Sequence, residues 1–390
     1  MPFPLLSILR NQVLTPPSLR RGVEMANPDE AGPDESGPEE TGIAEAETKQ
    51  APAKEVTMKE VAAHAGVALS SVSRVLNDHS DVSESMRKQV LDAIEAVGYE
   101  PNLLASSLRR GSTMTVGFIA NDISNPLFAE IAMGAERRLN EAGYSMVLTN
   151  SEGNPERDEA MIRLLRWRRI DGLILSVSDE ERAGTLAELA KLSEPVVLVD
   201  REMRGAAIVS AVLSDHANGM QAAIDHLLEL GHRRVALISG RPGLRPVRER
   251  VHGFKVAFRA RGLDLPTDLL KFDSFSASFG EQATYELLAA DDPPTAIVAG
   301  GNLLLIGVLR ALQASGRSVG SDISLVSCDD VPLTELHSPP ITVIDRDAVE
   351  MGEAAADLLL KLLAGGDGPL VTEIPTSLIR RASTQPHPTG

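Results

Sequence analysis

Ser70 and Arg74 stand four residues apart in the stretch VALSSVSRVLN, about one helical turn. On a helix, Val72, Val75 and Leu76 point one way, and Leu69, Ser70, Ser73, Arg74 and Asn77 point the other. Small polar side chains let such a backbone approach the edge of a base. An arginine among them can fork onto O6 and N7 of a guanine, worth about 1–3 kcal/mol of discrimination. A second set of polar residues follows short apolar runs further along: Asn121 and Asp122, Asp200 and Arg201, Asn302, and Asp329 and Asp330. No catalytic constellation accompanies them. SGRPGLRP lacks the glycines and the GK[ST] of a phosphate loop, and His226 and His232 are six residues apart, off a shared helical face. No metal-ligand spacing is present, and no cofactor is expected. HLLELGH reads as structural, with His232 beside the Gly231 helix end, where a cation is favoured.

The elements that must carry Ser70 and Arg74 are three short helices. VTMKEVAAHAG places Val56, Met58, Val61, Ala62 and Ala65 on one face, and Gly66 closes that helix. The second helix holds the pair above. A third runs from Ser83, a good N-cap, through Val90, Leu91, Ile94 and Val97 to Gly98. Two short helices joined by a Gly-containing turn are a helix-turn-helix, whose second helix enters the major groove. An ordinary three-helix bundle with a solvated polar face fits the same pattern. Over residues 56–110 six basic residues face seven acidic ones, so spacing, not basicity, is the signal.

Residues 114–380 alternate strands and helices. MTVGFIA, MVLTN, GLILSV, VVLVD, VALIS, AIVAG and SLVSC have strand length. One intervening helix turns Phe128, Ile131, Ala132, Ala135, Leu139 and Ala142 inward, and another Ala223, Ile224, Leu227 and Leu228. The alternation predicts an α/β fold with parallel sheets covered on both faces. The segment is long for one sheet, so two lobes with a cleft are expected. Ligands of such folds bind beyond the carboxyl ends of the strands, where the polar residues above lie.

Composition bounds the remainder. The chain has 390 residues, 43% of them apolar, enough for a sizeable core. Aromatics are 3%, which argues against a base-stacking or sugar-stacking platform. One cysteine excludes a disulfide scaffold or a Cys-based zinc finger and suits a reducing compartment. No apolar run is long enough to span a membrane. The net charge of −17 argues against nucleic acid when taken alone. Part of it sits outside the folded body: residues 26–55 hold nine acidic residues against two lysines, amid Pro and Gly, and residues 1–55 are expected to form a disordered extension. Residues 1–24 carry Pro2, Pro4, Pro16 and Pro17 with Arg10, Arg20 and Arg21. They read as a loose tail, as a start placed ahead of Met25, or as a transit peptide lacking the usual Ser and Arg richness.

The headpiece residues are recognisable as a set. V-T-x-x-x-V-A-x-x-A-G-V, V-S-R-V-L-N and G-Y-x-P-N-x-x-A-x-x-L, as they stand between Val56 and Leu108, resemble the DNA-binding headpiece of the lactose-repressor (LacI/GalR) family. The resemblance implies that Leu69, Ser70 and Arg74 meet base edges, and that Thr57, Ser73, Asn77 and Ser83 meet phosphates, with Lys59 beside them. Ala68 departs from the family's usual Ser or Thr, so the second helix lacks its side-chain cap, a loss of about 1 kcal/mol. The resemblance implies a headpiece over 56–101 and a hinge helix over 102–110. Asn102 and Ala105 would lie in the minor groove and Leu108 would wedge between base pairs; a plain linker with a buried Leu108 is the alternative.

The larger part resembles the family's effector domain, itself similar to periplasmic sugar-binding proteins, through SNPLFAEI, VVLVDR, SDHANG, RVHGF, GGNLLLIG and SCDDVPL. By position Asp200, Arg250, Asn302 and Asp329 match the residues that hold the effector, and Phe128 could pack on a ring face. Carboxylates, a guanidinium and an amide suit a polyol. Competing uses are helix caps for Asp200 and Asp329, an ion pair for Arg250, and core packing for Phe128. Leu303 stands where the family commonly has Asp, and Cys328 where an aromatic or bulky residue is usual. Cys328 reads as a small core residue.

The expected protein is a cytoplasmic, nucleoid-associated homodimer without enzymatic activity, acting as a repressor. It reads a near-palindromic double-stranded operator and responds to a small effector of the sugar class. Its effector domain spans 114–385, with lobe one over 114–213 and 346–365 and lobe two over 214–345 and 366–385. The chain ends soon after Arg381 without a heptad tail, so dimers are expected rather than tetramers. Two other readings stand beside this one. One is a solute receptor without DNA activity; the other is an α/β enzyme using Asp200 and Asp329 as acid and base.

Overall fold

The computed structural model describes residues 56–76, 79, 81–99, 111–203 and 209–387. The chain divides between Tyr99 and Glu100 into two compact units.

The first unit is three helices: α1 (Met58–Ala65), α2 (Leu69–Leu76) and α3 (Glu84–Val97). Gly66 and Gly98 end α1 and α3 in the left-handed conformation that glycine adopts without steric cost. Ser83 caps α3 by accepting from the Met86 N–H at 3.4 Å. With alanine at position 68, α2 starts on main-chain bonds alone, from the Ser71 and Val72 N–H groups to the Ala68 carbonyl. Val61, Val72 and Val90 meet at the centre, fully buried. Each such valine contributes roughly 1.5–3 kcal/mol relative to exposure. Gln89 donates to the Ala65 carbonyl at 2.8 Å, filling an acceptor at the end of α1. Leu91, within the apolar run of α3, is half exposed; Val90 and Ala93 face the core instead.

The second unit has two lobes. Lobe one carries β1 (Thr115–Ala120), α4 (Pro126–Glu141), β2 (Ser145–Asn150), α5 (Pro155–Trp167), β3 (Gly172–Leu175), α6 (Ala183–Leu189), β4 (Val196–Val199) and β5 (Ser210–Ser214). The chain then crosses to lobe two: α7 (His216–Glu229), β6 (Val235–Ser239), α8 (Arg245–Ala260), β7 (Leu270–Phe272), α9 (Ala277–Leu288), β8 (Ala296–Ala299), α10 (Asn302–Ala314), β9 (Ser324–Cys328), α11 (Pro332–Leu336) and β10 (Thr342–Asp345). It returns as α12 (Ala348–Leu363) and β11 (Val371–Ile374), and crosses again to β12 (Ser377–Ile379). The lobe-one sheet runs β11-β5-β4-β3-β1-β2, with every pairing parallel. The lobe-two sheet runs β12-β10-β9-β8-β6-β7, with only β12 antiparallel.

Two expectations need correction. Residues 371–374 belong to lobe one, because β11 pairs with β5, so the expected lobe-two span of 366–385 splits after β11. Ala142, expected on the inward face of α4, is its exposed C-cap; Phe128, Ile131, Ala132, Ala135 and Leu139 are buried as predicted. The short strands β5, β7, β10, β11 and β12 did not stand out as apolar runs; pairing with neighbours makes them strands. α4 and α12 approach so closely that a Cβ on Gly134 would strike the Val349 carbonyl, and one on Gly352 the Ile131 carbonyl. That pair packs over the core formed by Phe118, Ile131, Met351 and Leu359.

Candidate functional site

On the first unit the amphipathic split of α2 is as expected. Val72 and Val75 are buried, Leu69 is 44% exposed, and Ser70 and Arg74 are exposed; Ser73 is half-buried. Arg74 Nη1 rests on Asp81 Oδ2 at 3.2 Å, both well exposed. Such a pair is worth at most about 1 kcal/mol, so a competing base edge can displace it. Thr57 donates to Glu60 Oε2 from its N–H at 2.6 Å and its hydroxyl at 3.0 Å. That fixes the start of α1 with Lys59 exposed beside it. Ser83 is exposed at the start of α3. Asn77, Asn102, Ala105 and Leu108 lie outside the described residues.

On the second unit a cavity of about 550 Å³ lies between the lobes. Its wall includes Asn121, Asp122, Phe128, Asp200, Arg201, Arg250 and Asp329, drawn from the carboxyl ends of strands in both sheets and from the helices beside them. Asp200 after β4 and Asp329 after β9 occupy matching places. Both have positive φ, 55° and 68°. Each donates its N–H to a carbonyl of the neighbouring strand, Val212 and Ile344, at 2.8 Å. Left-handed backbone is uncommon for residues other than glycine, and Asp tolerates it better than most. Neither carboxylate caps a helix.

Both carboxylates are claimed by an arginine the sequence reading passed over. Arg346 lies on the crossover between β10 and α12. Its Nη1 donates to Asp200 Oδ2 at 2.5 Å and its Nε to Asp329 Oδ1 at 2.8 Å. It therefore ties lobe one to lobe two through the core of the cleft. Ser214 donates its N–H to Asp200 Oδ1 at 3.2 Å, and His216 Nε2 contacts both oxygens, at 3.0 and 2.9 Å. Burial opposes the charge on Asp200, but His216 and Arg346 outweigh it and hold the carboxyl well below its ordinary range. Burial pushes His216 down to about 4, so at neutral pH its ring is uncharged and Nε2–H donates. Burial also works against Arg346, yet Asp329 and Asp200 raise it above its ordinary value and keep it charged.

Further links cross the cleft. The buried Glu180 accepts from the Arg245 N–H at 2.8 Å and from Arg248 Nη1 at 2.7 Å. Asn302 Nδ2 donates to Asn125 Oδ1 at 3.2 Å. Asn302 is thus near the cavity but not in its wall, which its neighbours Gly301 and Leu303 form instead. Arg250 lines the cavity and donates from Nη1 to the Gly300 carbonyl at 2.9 Å. The ion pair considered for it does not form among the described residues. Phe128 serves both uses considered for it, as part of the lobe-one core and of the cavity wall. Asp330 turns away from the cavity to Arg381 and Thr334. Cys328 is a buried core residue whose thiol is pushed up by burial.

His232 is structural, as expected, but uncharged. Its ring bonds Thr295 at 2.8 Å, Ser324 at 3.0 Å and the Gln385 carbonyl, and burial pushes it down to about 4. It is a neutral structural group rather than a cation at a helix end. Arg346, His216 and Glu180 escaped the sequence reading because their partners lie on other elements, from 16 residues away for His216 and Asp200 to 146 for Arg346 and Asp200. A local signal was Arg346 flanked by Asp345 and Asp347.

Comparison with known proteins agrees with both units. Residues 57–102 match the model for bacterial regulatory proteins of the lacI family, and 224–384 match that for a periplasmic binding protein-like domain. The ribose operon repressor of Escherichia coli (strain K12) is 33% identical over 297 residues, covering 76% of this chain and 89% of that protein. The chain belongs to the lacI family. It is a DNA-binding transcriptional regulator with a helix-turn-helix headpiece and a two-lobed effector-binding domain. Among solved lacI-family structures, the lac repressor dimer bound to operator and the anti-inducer ONPF superposes with a TM-score of 0.74 at 27% identity, covering 85% of this chain and all of that one. The complex of the regulator CelR with cellobiose gives 0.64 at 31% identity, covering 84% of this chain and all of that one. Among the described residues no helix is long and apolar enough to cross a membrane.

Proposed function

We propose that this regulator acts in the cytoplasm as a homodimeric repressor, each headpiece reading one half of a near-palindromic operator. Leu69, Ser70 and Arg74 meet base edges. Thr57, Lys59, Ser73, Asn77 and Ser83 hold the phosphates. Asn102, Ala105 and Leu108 engage the minor groove. The observation that carries this reading is α2 itself: its valines are sealed in the core while Leu69, Ser70 and Arg74 stand in solvent.

A small effector of the sugar class occupies the cleft, against Phe128, Asp200, Arg250 and Asp329, with Asn302 behind the wall. The reading is supported by the cavity's volume, which suits a small metabolite. The cleft is closed by links that a ligand can exchange for its own. A ligand that binds one lobe arrangement better than another biases the hinge. A coupling of about 1–3 kcal/mol gives roughly 5- to 150-fold regulation.

The test is fluorescence anisotropy of the full chain on DNA, with operators selected from a random pool. A two-fold symmetric consensus, bound with steep salt dependence and altered by a sugar, is the expected result. Selection of no symmetric consensus would refute the dimeric operator reading.

A further inference from the structure

The cavity wall carries four arginines, Arg201, Arg241, Arg250 and Arg346, and four carboxylates, Asp122, Glu152, Asp200 and Asp329, but they are not paired one to one. Asp200 accepts from Ser214, His216 and Arg346, and Asp329 gives Oδ1 to Arg346. Arg201 is held by the main-chain carbonyls of Val177 and Asp200. Arg248 and Glu180 pair with each other.

Arg201 also forms no ion pair among the described residues, but its Nε and Nη1 are bonded; what sets Arg250 apart is a donor left without a partner. Arg250 is 3% exposed, lines the cavity, and forms no ion pair among the described residues. Its Nη1 reaches only the Gly300 carbonyl, and its Nε has no hydrogen-bond partner. A guanidinium keeps its charge at any physiological pH, and burying it without a counter-charge is costly. A ligand that supplies the counter-charge removes that cost. Neither of the other two carboxylates of the wall pairs with Arg250 among the described residues: Glu152 pairs with Arg157 at 2.6 Å, and Asp122 accepts from the Ser124 N–H.

We infer that the effector carries an anionic group, a carboxylate or a phosphate, which pairs with Arg250. The inference rests on the cleft being the effector site. Arg346 sharpens the preference, because it already donates to the two carboxylates that a neutral polyol would need for its hydroxyls. Asp329 Oδ2 has no partner among the hydrogen bonds of the described residues and is left to accept one hydroxyl. Arg250 and Arg346 are thus specificity-determining residues: one attracts the anion, and the other withholds acceptors from an uncharged sugar.

The test is calorimetric titration of the full chain with matched ligands: ribose against ribose 5-phosphate, and glucose against glucose 6-phosphate and gluconate, with inorganic phosphate as the bare anion. The expected result is a preference of roughly tenfold or more for an anionic member over its neutral partner. The phosphate and gluconate arms tell which anion is favoured. Arg250→Gln abolishes the preference, Arg250→Lys keeps part of it, and Arg346→Gln shifts it towards the neutral sugar. If the Arg250 variants fold poorly, the preference of the unaltered chain and its weakening by salt decide alone. A neutral sugar bound as tightly as its phosphate and its acid overturns the anion inference and leaves the cleft reading standing. No binding by any member of the panel overturns both.

Discussion

Arg346→Gln tests the centre of the cleft. The substitution leaves two carboxylates, each under 10% exposed, without their shared cation. Removing one partner of a buried ion pair costs about 3–5 kcal/mol, mostly from the stranded charge. Asp200 keeps Ser214 and His216, so the greater part of the loss falls on Asp329. At about 2–4 °C per kcal/mol for a body of comparable size, melting falls by on the order of 10 °C. The loss has a pH signature. In the parent, Asp200 is held below its ordinary 3.8, so its contribution is present at neutral pH and is lost only as pH falls below that value. In the variant Asp200 loses the Arg346 charge that helps to lower it, so its carboxyl rises, takes up a proton at higher pH than in the parent and sheds the cost of burial. The gap between parent and variant therefore narrows from pH 7.5 to pH 5. Arg346→Met combined with Asp200→Asn and Asp329→Asn removes all three charges and recovers most of the loss. Scanning calorimetry at both pH values is the assay. A variant that melts within 1–2 °C of the parent at pH 7.5, or a gap that does not change with pH, would refute the assignment of Arg346 as the shared cation.

Three further outcomes are expected. Arg74→Ala weakens operator binding by about 1–3 kcal/mol, roughly 5- to 150-fold, and relaxes preference at one base position. It leaves melting almost unchanged because the Asp81 pair is exposed, and unaltered affinity in a mobility shift would rule out the contact. His216 and His232 are both pushed down to about 4 from an ordinary 6.5, so they are neutral when folded. Their contribution is complete above 6.5 and is lost as pH falls towards 4, where the unfolded chain takes up protons first; calorimetry from pH 7.5 to 4.5 should show melting fall, less steeply in His232→Asn. Leu108→Ala should bend operator DNA less while effector affinity holds, and full bending in a circular-permutation assay would remove the wedge.

The headpiece was legible because its information is local. Within one or two turns Gly66, Ser83 and Gly98 set the helix ends, and the valines of α2 settle which face is left outside. Period and cap are properties of neighbouring residues, so spacing reports them. The alternation of strands and helices was legible for the same reason, as were Asp200 and Asp329 at strand ends. Strands such as β5 and β11 were not, since four or five residues become a strand only when a partner edge accepts them.

The sequence by itself determined the helix-turn-helix, the two-lobed α/β plan and the polar strand ends that face the cleft. Tertiary structure alone decided how those polar groups are matched. Asp200 and Asp329 lie 129 positions apart in the numbering, yet one arginine on a third segment reaches both, and Arg250 is left without a carboxylate among the described residues. The physical reason is that a buried charge is settled by whatever lies within a few ångströms. Those neighbours are assembled by chain crossings that leave no periodic trace in the sequence.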